Sequence, residues 1–385
     1  MAGIINIVLK KGKYEGLNGS LKINGKHNSS GSLSDMNGFT AYGNYKGEKW
    51  NLYSSLNLNN RLRNVEGDRK VTTTYIVPAD RIEYIDFSFL NNSDRVGHSI
   101  KFGADYSINE HLIVNGEINY NQLLRTGINK QNYFLPENYK KTINEDDFDD
   151  NYDLEGYIDI NQTFDNPDRE FNFSVSYDYQ KDNENESLDS NITTLYQNMN
   201  GIDIDISYKH PLNEKLKVEL GYDGKINDNT ENMDFEIADF TGENTFGYKR
   251  SIHGFFLEYD YKLNDRFSIK PSLRYEYVTK DISFESIQTG NGESDIIYAI
   301  LLDTIGVAIN DSIRAETYNK PDQIFYPDLH FTYNITEKQS LQFGLSKRVN
   351  RPGSHGHGGG SRQIRPFPRN VYSDNFIFMG NPFLK

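Results

Sequence analysis

The sequence predicts an all-β chain, an antiparallel transmembrane β-barrel that these 385 residues do not complete. Three observations predict it: residues alternate strictly in polarity over about ten positions, the alternating runs come in pairs across tight turns, and short connections alternate with long polar ones. The stretch from Gly254 to Val278 shows all of this in one unit. Phe255, Leu257, Tyr259 and Tyr261 take one face, and Phe256, Glu258 and Asp260 the other. After Leu263-Asn264-Asp265 the pattern resumes, with Ile269, Leu273, Tyr275 and Tyr277 opposed to Lys270, Ser272, Arg274 and Glu276. A soluble sandwich would turn the apolar face inward, whereas a membrane barrel turns it to lipid and the polar face to a lumen. Charges on the second face of so many strands decide for the barrel, because a buried core would have to pair each one.

In chain order, Gly3–Lys11 reads as a short apolar strand and Leu17–Asn24 as the next. Phe39–Tyr45 and Leu52–Leu58 follow as a pair across Lys46-Gly47-Glu48-Lys49. Ile100–Tyr106 and Leu112–Tyr120 pair across Asn109-Glu110, and Leu154–Ile160 and Phe171–Tyr179 across Asp165-Asn166-Pro167-Asp168. Ile202–Ile206 leads through Pro211–Glu214 to Val218–Tyr222, and Leu329–Ile335 through Thr336-Glu337-Lys338 to Leu341–Leu345. Between these pairs lie the polar stretches Asn60–Gly97, Leu123–Asn151, Lys181–Asn200, Asn227–Tyr248 and Thr279–Gln323, which read as loops. Short turns on the periplasmic rim and long loops outside are the topology of outer-membrane barrels, and tyrosines near strand ends suit the two interfaces.

Composition agrees. Hydrophobic content of 36% and a mean hydropathy of −0.71 lean towards disorder, but 27 Tyr and 23 Phe at alternating positions oppose it. No run reaches the roughly 20 apolar residues of a membrane helix. The absence of cysteine excludes disulfides, thiolate metal sites and a cysteine nucleophile, and a net charge of −14 disfavours nucleic acid as a partner. No secretory leader precedes Ile4, and the chain stops after Asn381-Pro382-Phe383-Leu384-Lys385 in a loop-like stretch, so it reads as a piece of a longer protein.

Both ends carry a family resemblance. GIINIVLKKG at Gly3–Gly12 resembles the last plug strand of the TonB-dependent outer-membrane receptors in their Bacteroidetes form. Val349-Asn350-Arg351-Pro352 resembles that family's INRP stretch, and Pro366-Phe367 with Tyr372-Ser373-Asp374 its NPF…Y.D segment. Gly380-Asn381-Pro382-Phe383-Leu384-Lys385 is similar to GNPxLKPE. The motif positions are thus Asn350, Arg351, Pro352, Gly380, Asn381 and Pro382. The resemblance implies a 22-stranded barrel closed by an N-terminal plug, with residues 1–13 as the plug's tail and 14–385 as part of the barrel. It further implies location in the outer membrane of a Gram-negative bacterium and energy-coupled import of a scarce small nutrient. The implied partners are outer-membrane lipid, the inner-membrane TonB complex acting on an N-terminal box, and a surface lipoprotein. The alternative is a barrel without energy coupling, serving as an adhesin, an assembly factor or a passive pore. The family's bulky residue after the RP pair is replaced here by Gly353–Gln363, GSHGHGGGSRQ.

Candidate sites are few. His355 and His357 offer imidazoles to a metal, but two ligands on a glycine-rich loop fall short of a firm coordination set. The acidic runs Glu145-Asp146-Asp147 and Asp149-Asp150 lack the glycine and spacing of a calcium loop, and with Asp182, Glu184, Glu186 and Asp189 they read as solvated outer loops. Asp203 and Asp205 stand about 7 Å apart on one strand face, which suits a polar wall better than an acid/base pair. Glu258, Asp260, Arg274 and Glu276 are luminal wall candidates of the same kind. No phosphate loop, GxSxG elbow or HExxH occurs, so the expectation is a non-enzyme with no cofactor.

Overall fold

The computed structural model describes residues 15–26, 35–75, 81–134, 140–188, 191–237, 240–290, 312–316, 321–336 and 339–349. They form fourteen strands: β1 Gly16–Lys26, β2 Asp35–Lys46, β3 Trp50–Tyr75, β4 Arg81–Ser107, β5 Leu112–Phe134, β6 Lys140–Thr163, β7 Glu170–Leu188, β8 Asn191–Asn213, β9 Leu216–Ile237, β10 Phe240–Lys262, β11 Phe267–Gly290, β12 Ser312–Glu316, β13 Asp322–Thr336 and β14 Gln339–Ser346. Each strand pairs antiparallel with its neighbour in sequence from β1 to β11, and β11 then pairs with β13 and β13 with β14; β12 adds a short pairing on β11. β1 and β14 end the path without pairing to each other, so the described sheet stays open. The plug tail expected at residues 1–13 lies outside the described residues.

Register explains the two faces. Leu220, Leu257 and Leu273 stand in one cross-strand row, and Gly221, Phe256 and Arg274 in the next. Because side chains alternate, one row per pair faces each way, and the whole sheet inherits an apolar and a polar face. The apolar face is open: Ile23, Phe102, Ile158, Phe255 and Phe343 are all more than half exposed or at half. An apolar band that runs across the described residues from β1 to β14 is a lipid-facing surface. Aromatic groups bound it. Trp50 stacks on Tyr106 at 4.1 Å near the short turns, and the rings of Tyr120, Tyr152 and Tyr179 touch in series near the other edge. Tyr120 and Leu112 are eight residues apart on β5, about 20 Å along a tilted strand, close to the height of a barrel's apolar band.

The short turns share one chemistry. Asn109, Asn213 and Asn264 each sit three residues before the first residue of the returning strand, in the related stretches Asn109-Glu-His-Leu, Asn213-Glu-Lys-Leu and Asn264-Asp-Arg-Phe. In all three the Asn Oδ1 accepts two backbone N–H groups, those of residues two and three positions on, at 2.8–3.0 Å. This gives acceptors to donors at the turn, where the Phe267 N–H also reaches the Asn264 carbonyl at 3.3 Å, and it fixes where each strand restarts. Asn264→Ala should therefore lower stability by about 1 kcal/mol through two lost bonds at an exposed site, read as a shift in the urea midpoint of the full-length protein; an unchanged midpoint would deny the turn this role.

The far ends of the strands differ from expectation. β3 and β4 remain paired from Trp50↔Tyr106 to Tyr75↔Arg81, through most of the stretch read as a loop. β5–β6, β7–β8 and β9–β10 likewise continue to Phe134↔Lys140, Leu188↔Asn191 and Ile237↔Phe240. These four polar outer stretches are thus largely sheet that rises beyond the membrane. There, water replaces lipid on the outer face, and polarity no longer marks a loop.

This upper wall also holds the packed interior. Leu195, Met233, Phe235, Phe246, Tyr248, Ile252, Val278 and Ile282 are buried. By register they all fall on the polar face of β8–β11, in line with Asp203, Lys225, Gly254 and Glu276. Below them the same face is charged.

Candidate functional site: the charged face

The charged face is built from cross-strand pairs. On β4 and β5, Lys101 Nζ lies 2.8 Å from Glu117 Oε1, while the Tyr53 hydroxyl from β3 donates to Glu117 Oε2 at 2.9 Å. On β8 and β9, Lys225 meets Asp203 at 3.0 Å. Arg274 of β11 holds Asp223 of β9 at 2.7 Å and Glu276 of its own strand at 2.7 Å. It can reach β9 because Gly254 stands between them on β10, and a Cβ there would collide with the guanidinium. Lys270 pairs with Glu258 at 2.6 Å.

All six wall residues named from sequence thus share this face. Four of them, Asp203, Glu258, Arg274 and Glu276, enter ion pairs. Asp205 stands opposite Asp223, and Asp260 opposite Lys217, whose ammonium turns instead to Asp168 in the β6–β7 turn. None of the partners Lys225, Asp223 and Glu117 is named from sequence as a wall residue, and Lys270 is placed on this face without a partner. Strand alternation marks each as polar-facing, but only the register says which charge stands opposite which. His355, His357 and the six motif positions from Asn350 to Pro382 lie outside the described residues.

The acidic runs are corrected by the structure. Glu145 to Asp150 belong to β6, where alternation divides them between faces. Asp147 and Asp149 face inward and clasp Arg125 of β5 at 3.0 and 3.1 Å, while Asp150 accepts from Gln122 on the outer face at 2.9 Å. Asp182, Glu184 and Glu186 lie on β7 beside them, with Asp182 buried. Asp189 is outside the described residues. Carboxylate oxygens of Glu145, Asp147 and Glu186 come within 4.8 Å of one another, and among the described residues this is the group compact enough to hold a metal ion.

Asp147 lies five residues above Tyr152 and its aromatic neighbours, clear of the apolar band. Burial, and then the charge of Glu145, push its carboxyl up to about 6 from 3.8, against the pull of Arg125. A carboxyl raised on folding binds its proton more tightly in the native state. Its contribution to stability is complete below about 3.8 and is lost as pH rises through about 6. Asp147→Asn should flatten the dependence of the unfolding midpoint on pH between 4 and 7; a variant with the unaltered slope would locate the titration elsewhere.

Chemically this face offers fixed, hydrated charges tied in pairs across strands. Such a wall can orient a polar solute and knit the sheet.

A family profile described as the outer membrane protein beta-barrel family matches residues 162–385, more than half of the chain. The chain belongs to this family. Its place is accordingly the outer membrane of a Gram-negative bacterium, as its lipid-facing band requires. Among solved structures it is similar to the ferric yersiniabactin uptake receptor FyuA from Yersinia pestis, with 11% identity and a TM-score of 0.52 over 86% of this chain and 46% of the receptor. The chain thus spans about half the length of that receptor, and the likeness is one of fold. The siderophore receptor PiuA from Acinetobacter baumannii aligns at 9% identity with a TM-score of 0.26, over 89% of this chain and 73% of that one. No curated protein sequence matches the chain.

Proposed function

We propose that this family member is part of an outer-membrane receptor that imports a scarce small nutrient by energy-coupled transport, with the inner-membrane TonB complex as its source of energy. The observation that carries this reading is the width of the sheet. Thirteen strands of the described residues pair in one continuous path that stays open at both ends. Side chains alone fill a barrel of about eight strands, so a larger one encloses a space that needs either water or a plug. The charged face would line that space, with Asp203, Asp205, Glu258, Asp260, Arg274 and Glu276 as wall residues. The fold shared with an uptake receptor and the motifs resembling TonB-dependent receptors support the same reading.

The test is uptake by cells that carry the full-length gene compared with a deletion strain. Culture medium would be profiled for solutes depleted only when the gene is present. The expected result is depletion that stops when a protonophore collapses the inner-membrane gradient. Depletion that continues without the gradient would mean a passive pore, and no gene-dependent depletion would leave an adhesin or an assembly factor.

A further inference from the structure

On the upper wall, charge is distributed unevenly. Arg61 of β3 stands directly opposite Arg95 of β4, and Arg95 directly opposite Arg125 of β5. The register runs unbroken through this region, so all three side chains fall on the polar face, in line with Tyr53, Lys101 and Glu117. Arg63 follows two residues after Arg61 on the same face. Arg125 is neutralised by Asp147 and Asp149. Arg61, Arg63 and Arg95 are exposed, and no carboxylate of a described residue pairs with any of them. Like charges directly opposite each other in a sheet destabilise it, and Cβ atoms in such pairs are only about 5 Å apart. A second feature stands at the fourth corner of this group. Ser93 stands opposite Arg63 and two residues before Arg95, is only 9% exposed, and its hydroxyl has no hydrogen-bond partner. A buried hydroxyl without a partner is costly, and three exposed cations set side by side repel one another and leave their guanidinium donors free for an anion.

We propose that Arg61, Arg63 and Arg95, with the Ser93 hydroxyl, bind a small soluble polyanion carrying two or more carboxylate or phosphate groups. Guanidinium forks match both groups in bidentate fashion. The three cations are separated by about 5 Å across the strands and about 7 Å along β3, which suits two anionic groups joined by a few bonds. Placement on the polar face selects a soluble ligand over a phosphate of the surrounding lipid, which would meet the other face. As an import substrate this ligand depends on the receptor reading, whereas the anion site itself depends only on the wall.

The test is isothermal titration of the purified full-length protein in detergent with citrate and with pyrophosphate, at low and at physiological salt. Binding of at least one probe is expected, weakening as salt rises. The triple variant Arg61→Gln/Arg63→Gln/Arg95→Gln should weaken it at least about 30-fold, since charge-assisted bonds are lost at three positions. Lys215→Gln, a neutralisation at a distant turn, should leave it unchanged. If the triple variant does not fold, Arg95→Lys keeps the charge without the fork and should weaken binding several-fold. Absence of binding to both probes, equal binding by wild type and variant, or binding only to lipid A micelles would overturn the proposal. The measurement needs no energy source. Intact uptake without anion binding therefore rejects the site alone, and anion binding without uptake rejects the receptor reading alone.

Discussion

Leu257→Arg should destabilise the full-length protein by about 2–4 kcal/mol, the range for a cation placed at mid-membrane on the lipid face of a barrel. Leu257 stands between Leu220 and Leu273 in a cross-strand row, and the three are 39%, 50% and 47% exposed on the apolar face. Along β10 it lies midway between His253 and Tyr261, four residues from each, so an arginine there has the longest reach to either interface. The adjoining residue supplies the control. Glu258 projects to the charged face and pairs with Lys270 with a quarter of its side chain exposed. Glu258→Gln should cost at most about 1 kcal/mol, as befits one partly solvated pair. Reversible urea unfolding from lipid vesicles would measure both. If the two substitutions cost the same, the apolar face does not meet lipid, and the barrel orientation is wrong.

Much of this was legible in the sequence because a strand that separates lipid from water must alternate. Leu257 and Glu258 declare their faces by parity alone, and so do Ile202 to Ile206 against Asp203 and Asp205. Where the outer face meets water, that contrast disappears. The stretch Asn232-Met-Asp-Phe-Glu-Ile still alternates, but with Met233 and Phe235 on the opposite face from the lipid-facing set below. Read for polarity it resembled a loop, whereas read for period it was a strand with an apolar interior. The turns carried a second overlooked signal, since the threefold Asn-acidic-basic-apolar pattern marks where strands restart. Ion pairs were beyond reach for a different reason. Arg274 finds Asp223 two strands away only because Gly254 opens the strand between, and that needs the register of three strands at once.

The same arrangement gives the second large effect. Arg274→Met should cost about 2–3 kcal/mol, below the 3–5 kcal/mol of a fully buried broken pair because the arginine side chain is 29% exposed. The loss comes less from the bonds than from what remains. Glu276, 7% exposed, and Asp223, 33% exposed, would keep their charges and face each other across the gap over Gly254. Methionine fills the stem's volume without supplying a donor, so packing is largely preserved and the electrostatic term is isolated. Adding Asp223→Asn should recover part of the loss by removing one of the two stranded carboxylates. A double-mutant cycle in vesicles would read a favourable Arg274–Asp223 coupling of about 1 kcal/mol or more. A coupling near zero would mean that Arg274 is held by Glu276 alone and that no brace spans β10 from β11 to β9 at this point.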